Sequence, residues 1–195
     1  MRINILHDWR GRIRALDYKK VIIVVFLLRV SIASAYDLFV SIKGTDVILP
    51  DSKYYSAQGL YISSILSGND ASYIPEIDFF KDGQNRIIYR DIFNRENGRL
   101  PACRGENGFF AYVVGLIYFV FGYFPIGVRI FNIMLSMASA YFMFMVARRN
   151  FGTESANLFL LVALFLPTQF GYSITMGRDM LKLFVVSLIS FVIYG

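Results

Sequence analysis

The chain has 195 residues, of which 56% are hydrophobic and 17% aromatic, and its mean hydropathy is +0.50. This is more apolar surface than a soluble domain of that length can bury, so the composition predicts an integral membrane protein. The formal charge of +6 does not indicate a nucleic-acid-binding protein, because the basic residues cluster at the ends of apolar runs, where the positive-inside rule accounts for them.

Two residue types that often carry catalysis occur once each. Cys103 cannot form an intrachain disulfide, and the residues around it lack the spacing of metal ligands. His7 lies in the basic N-terminal segment, which argues against a Ser/His or Cys/His nucleophile. Any chemistry must therefore rest on carboxylates, arginines and tyrosines.

The first apolar run, over 21–40, is long enough for one membrane crossing. Residues 1–20 contain six Lys or Arg and only two Asp, which predicts a cytoplasmic N-terminus. Arg29 interrupts the run, so we interpret it as an uncleaved span and not as a secretory signal. An arginine at this depth must face protein or a water-filled cavity. It is either a phosphate ligand in a cavity, or an arginine that snorkels or pairs with Asp37, two turns further on.

The polar residues 42–107 form a long loop, which an inside-to-outside first crossing places on the extracytoplasmic side. Within it, residues 52–66 carry small and apolar side chains on one helical face: Ala57, Leu60, Tyr61, Ser64 and Ile65. This spacing predicts an amphipathic helix that lies on the bilayer and closes with a turn over 67–70. Asp51 stands at the N-cap position, so it is either a cap or a functional group held at the outer membrane surface.

The next apolar runs differ in length. Residues 108–124 are slightly short for a crossing, whereas 126–147 certainly spans and ends in the arginine pair 148–149. These arginines belong inside with the basic N-terminus, which favours a juxtamembrane or re-entrant helix over 108–124. Ser136 and Ala140 form a small-xxx-small pair suited to close helix packing.

Residues 156–170 return outward, which predicts that Arg178 and Asp179 lie on the same side as Asp51. The run 181–195 is the start of a further span, and because the chain stops inside it, we expect a fragment or a truncated reading frame. The predicted fold is all-α. It is a multi-span transmembrane helical bundle, a single membrane module, with an extracytoplasmic loop bearing juxtamembrane helices.

The order of these features resembles the N-terminal module of the GT-C glycosyltransferases. These multi-span enzymes use polyprenyl-phosphate sugars, and they include protein O-mannosyltransferases, aminoarabinose transferases and lipopolysaccharide-core transferases of the Rgt type. The matching motifs are short and cover most of the chain: Arg29, Asp51 with Tyr54 or Tyr55, Gly68, Gly122, residues 128–130, residues 147–152, residues 166–167, and Arg178 with Asp179.

The resemblance implies that Asp51 is the catalytic carboxylate and that 52–66 and 108–123 are two juxtamembrane helices. The chain departs from the family pattern at three points. Many relatives have Asp-Glu where this chain has Asp51 and Ser52, and they enter the second juxtamembrane helix through His-Pro-Pro or Lys-Pro-Pro where this chain has residues 106–108. The polar stretch between the two helices is also longer than usual. By its position, Glu106 is the candidate for the second acid.

In an inverting displacement, one carboxylate takes the proton from an acceptor hydroxyl or amine while lipid phosphate leaves, and positive charge stabilises the leaving group. Our hypothesis assigns the base role to Asp51 and phosphate binding to Arg178 and Arg29. Two roles are open for Asp179. It either orients another group, which is the acceptor or an arginine, or has only a structural role as an acid favoured by the dipole at a helix N-terminus. The other substrate-binding candidates are Tyr54, Tyr55 and Glu106.

The expected partners are the lipid bilayer, a polyprenyl-phosphate sugar donor and a glycan, lipid or protein acceptor, with the chain as a multi-pass protein of the cell membrane. We expect no cofactor, and a divalent cation is not indicated, because Asp51, Asp179 and Glu106 lack the spacing of a dedicated oxygen cage. Two other functions fit the same pattern. One is a non-catalytic membrane subunit or fragment, and the other is a component of a polysaccharide polymerase or flippase.

Overall fold

The computed structural model describes residues 17–43, 52–70, 72, 77–81, 83–101 and 108–195. These residues form seven α-helices, one 3₁₀ helix and no strand, which confirms the predicted all-α fold. In chain order the elements are α1 (Tyr18–Lys43), α2 (Ser52–Leu66), the 3₁₀ helix (Asp78–Lys81), α3 (Gly83–Glu96), α4 (Gly108–Phe121), α5 (Pro125–Phe165), α6 (Pro167–Ser173) and α7 (Asp179–Tyr194).

Two of the described helices, α1 over Tyr18–Phe39 and α5, are long and apolar enough to cross a membrane. α1 exposes many large apolar side chains: Ile23, Val24, Leu27, Leu28 and Leu38. A core helix of a water-soluble domain buries its apolar face, and α1 over this range leaves much of it exposed. α4 is also apolar, but its 14 residues extend only about 21 Å, less than the hydrocarbon core of a bilayer.

The segment predicted as a span at 126–147 lies within α5, and the one predicted at 156–170 begins in the same helix, which is interrupted at Gly152 (φ 81°, ψ 171°). Glycine adopts this positive φ without a steric penalty. The helix ends at Phe165 and not at residue 170, because Pro167 has no N–H to continue the ladder and disfavours the helical conformation at Leu166 (φ −59°, ψ 120°). Pro167 then begins α6.

The described residues form two compact units. The first, which we call the helical unit, comprises the described residues up to Ala33 together with Phe131–Ile174 and Asp179–Gly195. The second, which we call the loop unit, comprises the described residues within Ser34–Ile130 together with Thr175–Arg178. α1 and α5 each contribute residues to both units.

Two glycines allow α2 and α4 to approach each other closely in the loop unit. A Cβ atom added at Gly59 would lie 3.0 Å from the Val114 Cβ atom and 3.3 Å from the Gly115 nitrogen. A Cβ atom added at Gly115 would lie 2.6 Å from the Ile62 Cγ2 atom. Real Cβ atoms do not approach other heavy atoms this closely, so the crossing of α2 and α4 requires glycine on both helices.

We expect Gly115→Ala to destabilise the fold by about 1 to 3 kcal/mol, because the added methyl group would force the Ile62 side chain and the two backbones apart. The matched control is Gly83→Ala at the start of α3, where a Cβ atom would meet nothing within 4 Å. The free energy of unfolding of both variants can be measured in detergent by circular dichroism. Equal stability of the two variants would contradict this packing.

The loop unit has an aromatic core between α2, the 3₁₀ helix and α3. The Tyr89 ring packs edge-on against Tyr61, with 6.0 Å between ring centroids, and against Phe80, with 5.1 Å. Ala57 and Tyr61 are fully buried. The apolar face of 52–66 was predicted to lie on a bilayer, but much of it packs against protein, because the loop supplies its own aromatic side chains to cover it.

Burial raises the pKa of Tyr89 from 10.0 to about 12, and a hydrogen bond with the Ser64 side chain offsets part of the effect. Because the pKa is higher in the folded state, the neutral phenol stabilises the fold below pH 10.0, and this stability is lost as the pH rises toward about 12. Over this range we expect the unfolding free energy of the wild type to fall by about 2 kcal/mol more than that of Tyr89→Phe, after allowance for solvent screening. Chemical denaturation at a series of pH values measures this difference, and parallel curves would contradict the assignment.

Candidate functional site

Two of the predicted site residues, Asp51 and Glu106, lie outside the described residues. α2 begins at Ser52, so Asp51 directly precedes the first residue of that helix. This is the chain position that the sequence predicts for an N-cap or a catalytic acid next to α2.

Tyr54 and Tyr55 of α2 have different surroundings. Tyr55 is buried, and its ring packs edge-on against Phe110 of α4 with 5.2 Å between centroids. The Tyr54 hydroxyl accepts a hydrogen bond from the Arg95 Nη2 atom at 2.8 Å, which raises the pKa of Arg95. Arg95 also donates to Glu96 at 2.9 Å. The Tyr54 hydroxyl therefore joins a surface polar group, whereas the Tyr55 ring is buried against α4.

Arg29 is fully buried in the helical unit. Its Nη1 atom donates to the hydroxyls of Ser136 at 2.7 Å and Ser173 at 2.9 Å, and its Nη2 atom donates to the Leu164 carbonyl. The guanidinium also lies over the Phe170 ring, 4.9 Å from the centroid. All of its partners in the described part of the chain are neutral groups.

These contacts answer the question that the sequence left open for Arg29. The side chain does not snorkel, because it is 0% exposed. It does not pair with Asp37, which lies two turns or about 12 Å further along α1 and binds Arg129 instead. Leu164 is in the last turn of α5, where carbonyl groups lack intrahelical partners and carry partial negative charge. The end of this helix therefore provides the negative potential that stabilises Arg29.

Arg178 and Asp179 belong to different units. Arg178 is half-buried in the loop unit. Asp179 is the first residue of α7, and its Oδ1 atom accepts a bond from the Lys182 Nζ atom at 3.4 Å. An acid at a helix N-terminus is favoured by the helix dipole, so the described contacts of Asp179 agree with the structural alternative.

A second buried arginine lies in the loop unit. Arg129 of α5 is 2% exposed, and its Nε atom donates to the Asp37 Oδ1 atom at 3.0 Å. The Arg129 guanidinium lies over the Tyr36 ring, 5.1 Å from the centroid. The Asp37 side chain is 31% exposed. A fully buried cation is thus paired with a carboxylate that reaches the surface of the unit.

Three further side chains, from α2, α4 and the turn after α4, extend this group. The Tyr118 and Ser56 hydroxyls are 3.0 Å apart, and Tyr118 packs edge-on against Tyr123 at 5.4 Å. Burial raises the pKa of Tyr118, and the charges of Arg129 and Asp37 are close enough to act on it. Tyr118 therefore remains a neutral phenol. We call the whole group the Asp37 cluster: Tyr36, Asp37, Ser56, Tyr118, Tyr123 and Arg129.

The sequence patterns do not predict this cluster as a site. They indicate Asp37 only as a possible partner of Arg29, and Arg129 only as part of a family motif. The signal was nevertheless in the sequence, because ionisable residues inside long apolar runs are costly and usually pair with one another at functional positions. Sequence alone could not choose among the possible pairings.

The Asp37 cluster can accept and donate hydrogen bonds through one carboxylate and several hydroxyls. Among the described residues, there is no group of three or more His, Cys, Asp or Glu side chains that could hold a metal ion. Comparisons with protein families, with curated proteins and with solved structures give no match for this chain. A functional interpretation therefore depends on these residues and on the order of the sequence motifs.

Proposed function

We propose that this chain is a membrane glycosyltransferase, or part of one, that transfers a sugar from a polyprenyl-phosphate donor to a hydroxyl or amine acceptor on the extracytoplasmic face. One observation carries the proposal. A membrane-length helix (α1) is followed by α2, which begins directly after Asp51 and packs closely on the short apolar helix α4, and α4 leads into the membrane-length α5. This is the order of elements that the GT-C resemblance implies.

The chemistry assigned to this arrangement requires one base and positive charge near the leaving phosphate. We assign the base role to Asp51 and phosphate binding to Arg178. Arg29 donates from both Nη atoms to protein acceptors, which supports a role in holding helices together over direct contact with phosphate.

The contacts of Arg29 are also compatible with two other functions: a component of a polysaccharide polymerase or flippase, and a non-catalytic membrane subunit. A flippase or a subunit needs no base. The transferase and the flippase differ in their products. A transferase forms a new glycosidic bond, whereas a flippase moves an unchanged lipid-linked sugar between leaflets.

The test uses the full chain in proteoliposomes with a radiolabelled polyprenyl-phosphate sugar and an alkyl glycoside acceptor. We expect labelled acceptor to appear in the presence of the protein. Movement of labelled lipid to the other leaflet without a new glycosidic bond would favour the flippase. Neither product with a panel of donor sugars would overturn the transferase proposal.

The proposed topology can be tested in intact cells by labelling with an impermeant maleimide. In a Cys103→Ser background, we expect cysteines at Lys53 and Lys182 to react, because the proposed topology has both on the extracytoplasmic side. A cysteine at the exposed Arg149 should react only after permeabilisation, because the proposed topology has the arginine pair 148–149 on the cytoplasmic side. If Lys53 and Lys182 label from opposite sides, Asp51 and Arg178 cannot share a site.

A further inference from the structure

The two carboxylate oxygens of Asp37 have different surroundings. The Oδ1 atom accepts a hydrogen bond from the Arg129 Nε atom at 3.0 Å. Within the described part of the chain, this is the only hydrogen bond or ion pair that the Asp37 side chain makes. The side chain is 31% exposed, compared with 2% for Arg129. One oxygen is therefore fixed by a buried cation, whereas the other makes no hydrogen bond to a described residue and belongs to a side chain that reaches the surface.

The side chains around Asp37 restrict the class of ligand. The Tyr118 and Ser56 hydroxyls are buried and bond to each other, so the Asp37 carboxylate, and neither of these hydroxyls, is the polar group that reaches the surface. The charge of Arg129 is already matched by Asp37, so the cluster has no unpaired cation for a phosphate among these residues. An ionised carboxylate repels phosphate but accepts strong, charge-assisted hydrogen bonds from hydroxyl groups. These features suit a neutral polyhydroxyl group.

We infer that Asp37 binds a hydroxyl of a neutral sugar through its other carboxylate oxygen, and that Arg129 is a positioning residue that holds the carboxylate in this orientation. This inference rests on the proposed function in one respect: the proposed function identifies the sugar as the acceptor glycan. It adds a binding residue, Asp37, that is separate from the proposed base Asp51.

A simple test with Asp37→Ala is ambiguous, because it leaves the Arg129 charge buried without its partner and the fold can be lost. The informative variant is Asp37→Asn combined with Arg129→Gln, which removes both charges together. We expect this variant to keep the wild-type unfolding midpoint and to raise the apparent KM for an alkyl glycoside acceptor at least about fivefold, because the neutral amide oxygen accepts a weaker hydrogen bond from the sugar hydroxyl than the carboxylate does. The KM for the polyprenyl-phosphate donor should remain unchanged. If the ion pair is only structural, the neutral pair restores wild-type kinetics and the inference is overturned.

A binding measurement keeps this test independent of transfer activity. Asp37 in the wild-type chain in nanodiscs is modified with a carbodiimide and an amine, and the modified peptide is quantified by mass spectrometry. Octyl glucoside below its micellar concentration should slow the modification several-fold, whereas octanol at the same concentration should not. If octyl glucoside slows the modification of Asp37 but the protein transfers no sugar, the proposed transferase is rejected and the sugar site is supported. Equal modification with octyl glucoside and octanol would reject the sugar site whether or not transfer occurs.

Discussion

Replacement of Arg29 by alanine is expected to destabilise the helical unit by about 3 to 5 kcal/mol. The substitution removes the Nη groups that donate hydrogen bonds to the Ser136 hydroxyl, the Ser173 hydroxyl and the Leu164 carbonyl. All three bonds are buried. It also leaves a cavity between α1, α5 and α6, because one of the two largest fully buried side chains of the described residues is lost. The Ser136 hydroxyl still accepts a bond from the Gln169 Nε2 atom at 3.2 Å, so the remaining cost comes from the cavity and from the other buried acceptors that lose their donor.

The matched control is Arg148→Ala, an exposed arginine of α5 that should change the unfolding free energy by less than about 0.5 kcal/mol. Arg29→Lys should fall between the two, because an ammonium keeps the charge but cannot reproduce the planar arrangement of donors. Denaturant unfolding in lipid nanodiscs, followed by circular dichroism, measures all three variants. If Arg29→Ala is as stable as Arg148→Ala, the hydrogen bonds that Arg29 donates to Ser136, Leu164 and Ser173 do not stabilise the helical unit.

Local sequence signals predicted the helices best. The apolar spacing predicted a helix over 52–66, and α2 covers Ser52–Leu66. The turn that closes it contains Gly68 at φ 69°, as expected for a residue that must adopt the left-handed conformation. These features depend on neighbouring residues along the chain, so the sequence contains the information needed to predict them.

Features that depend on distant residues could not be predicted in the same way. Whether the apolar face of α2 meets lipid or protein depends on the aromatic side chains of Phe80 and Tyr89, which the fold brings beside it. The partners of Arg29 are more than a hundred residues away in the chain, and the partner of Asp37 is 92 residues away. Because apolar runs fix neither the order nor the rotation of packed helices, sequence identifies the charged residues but not their pairs.

The largest expected effect on activity is that of Asp51→Asn. We expect kcat for sugar transfer to fall by at least about 100-fold, because an amide cannot accept the proton of the attacking hydroxyl or amine. The donor KM should change little, since the positive charge that binds phosphate is not altered. Initial rates with a radiolabelled polyprenyl-phosphate sugar at saturating acceptor measure kcat directly.

Asp70→Asn provides the matched control, because Asp70 is an exposed acid of the same loop with no assigned role in transfer. Its variant should retain wild-type kcat. Asp51→Glu separates the two possible roles of Asp51, catalytic base and helix cap. The longer carboxylate can still act as a base with reduced efficiency, but it makes a poorer helix cap. A stable Asp51→Asn protein with wild-type kcat would assign Asp51 to capping of α2, and the base would then have to be another acid.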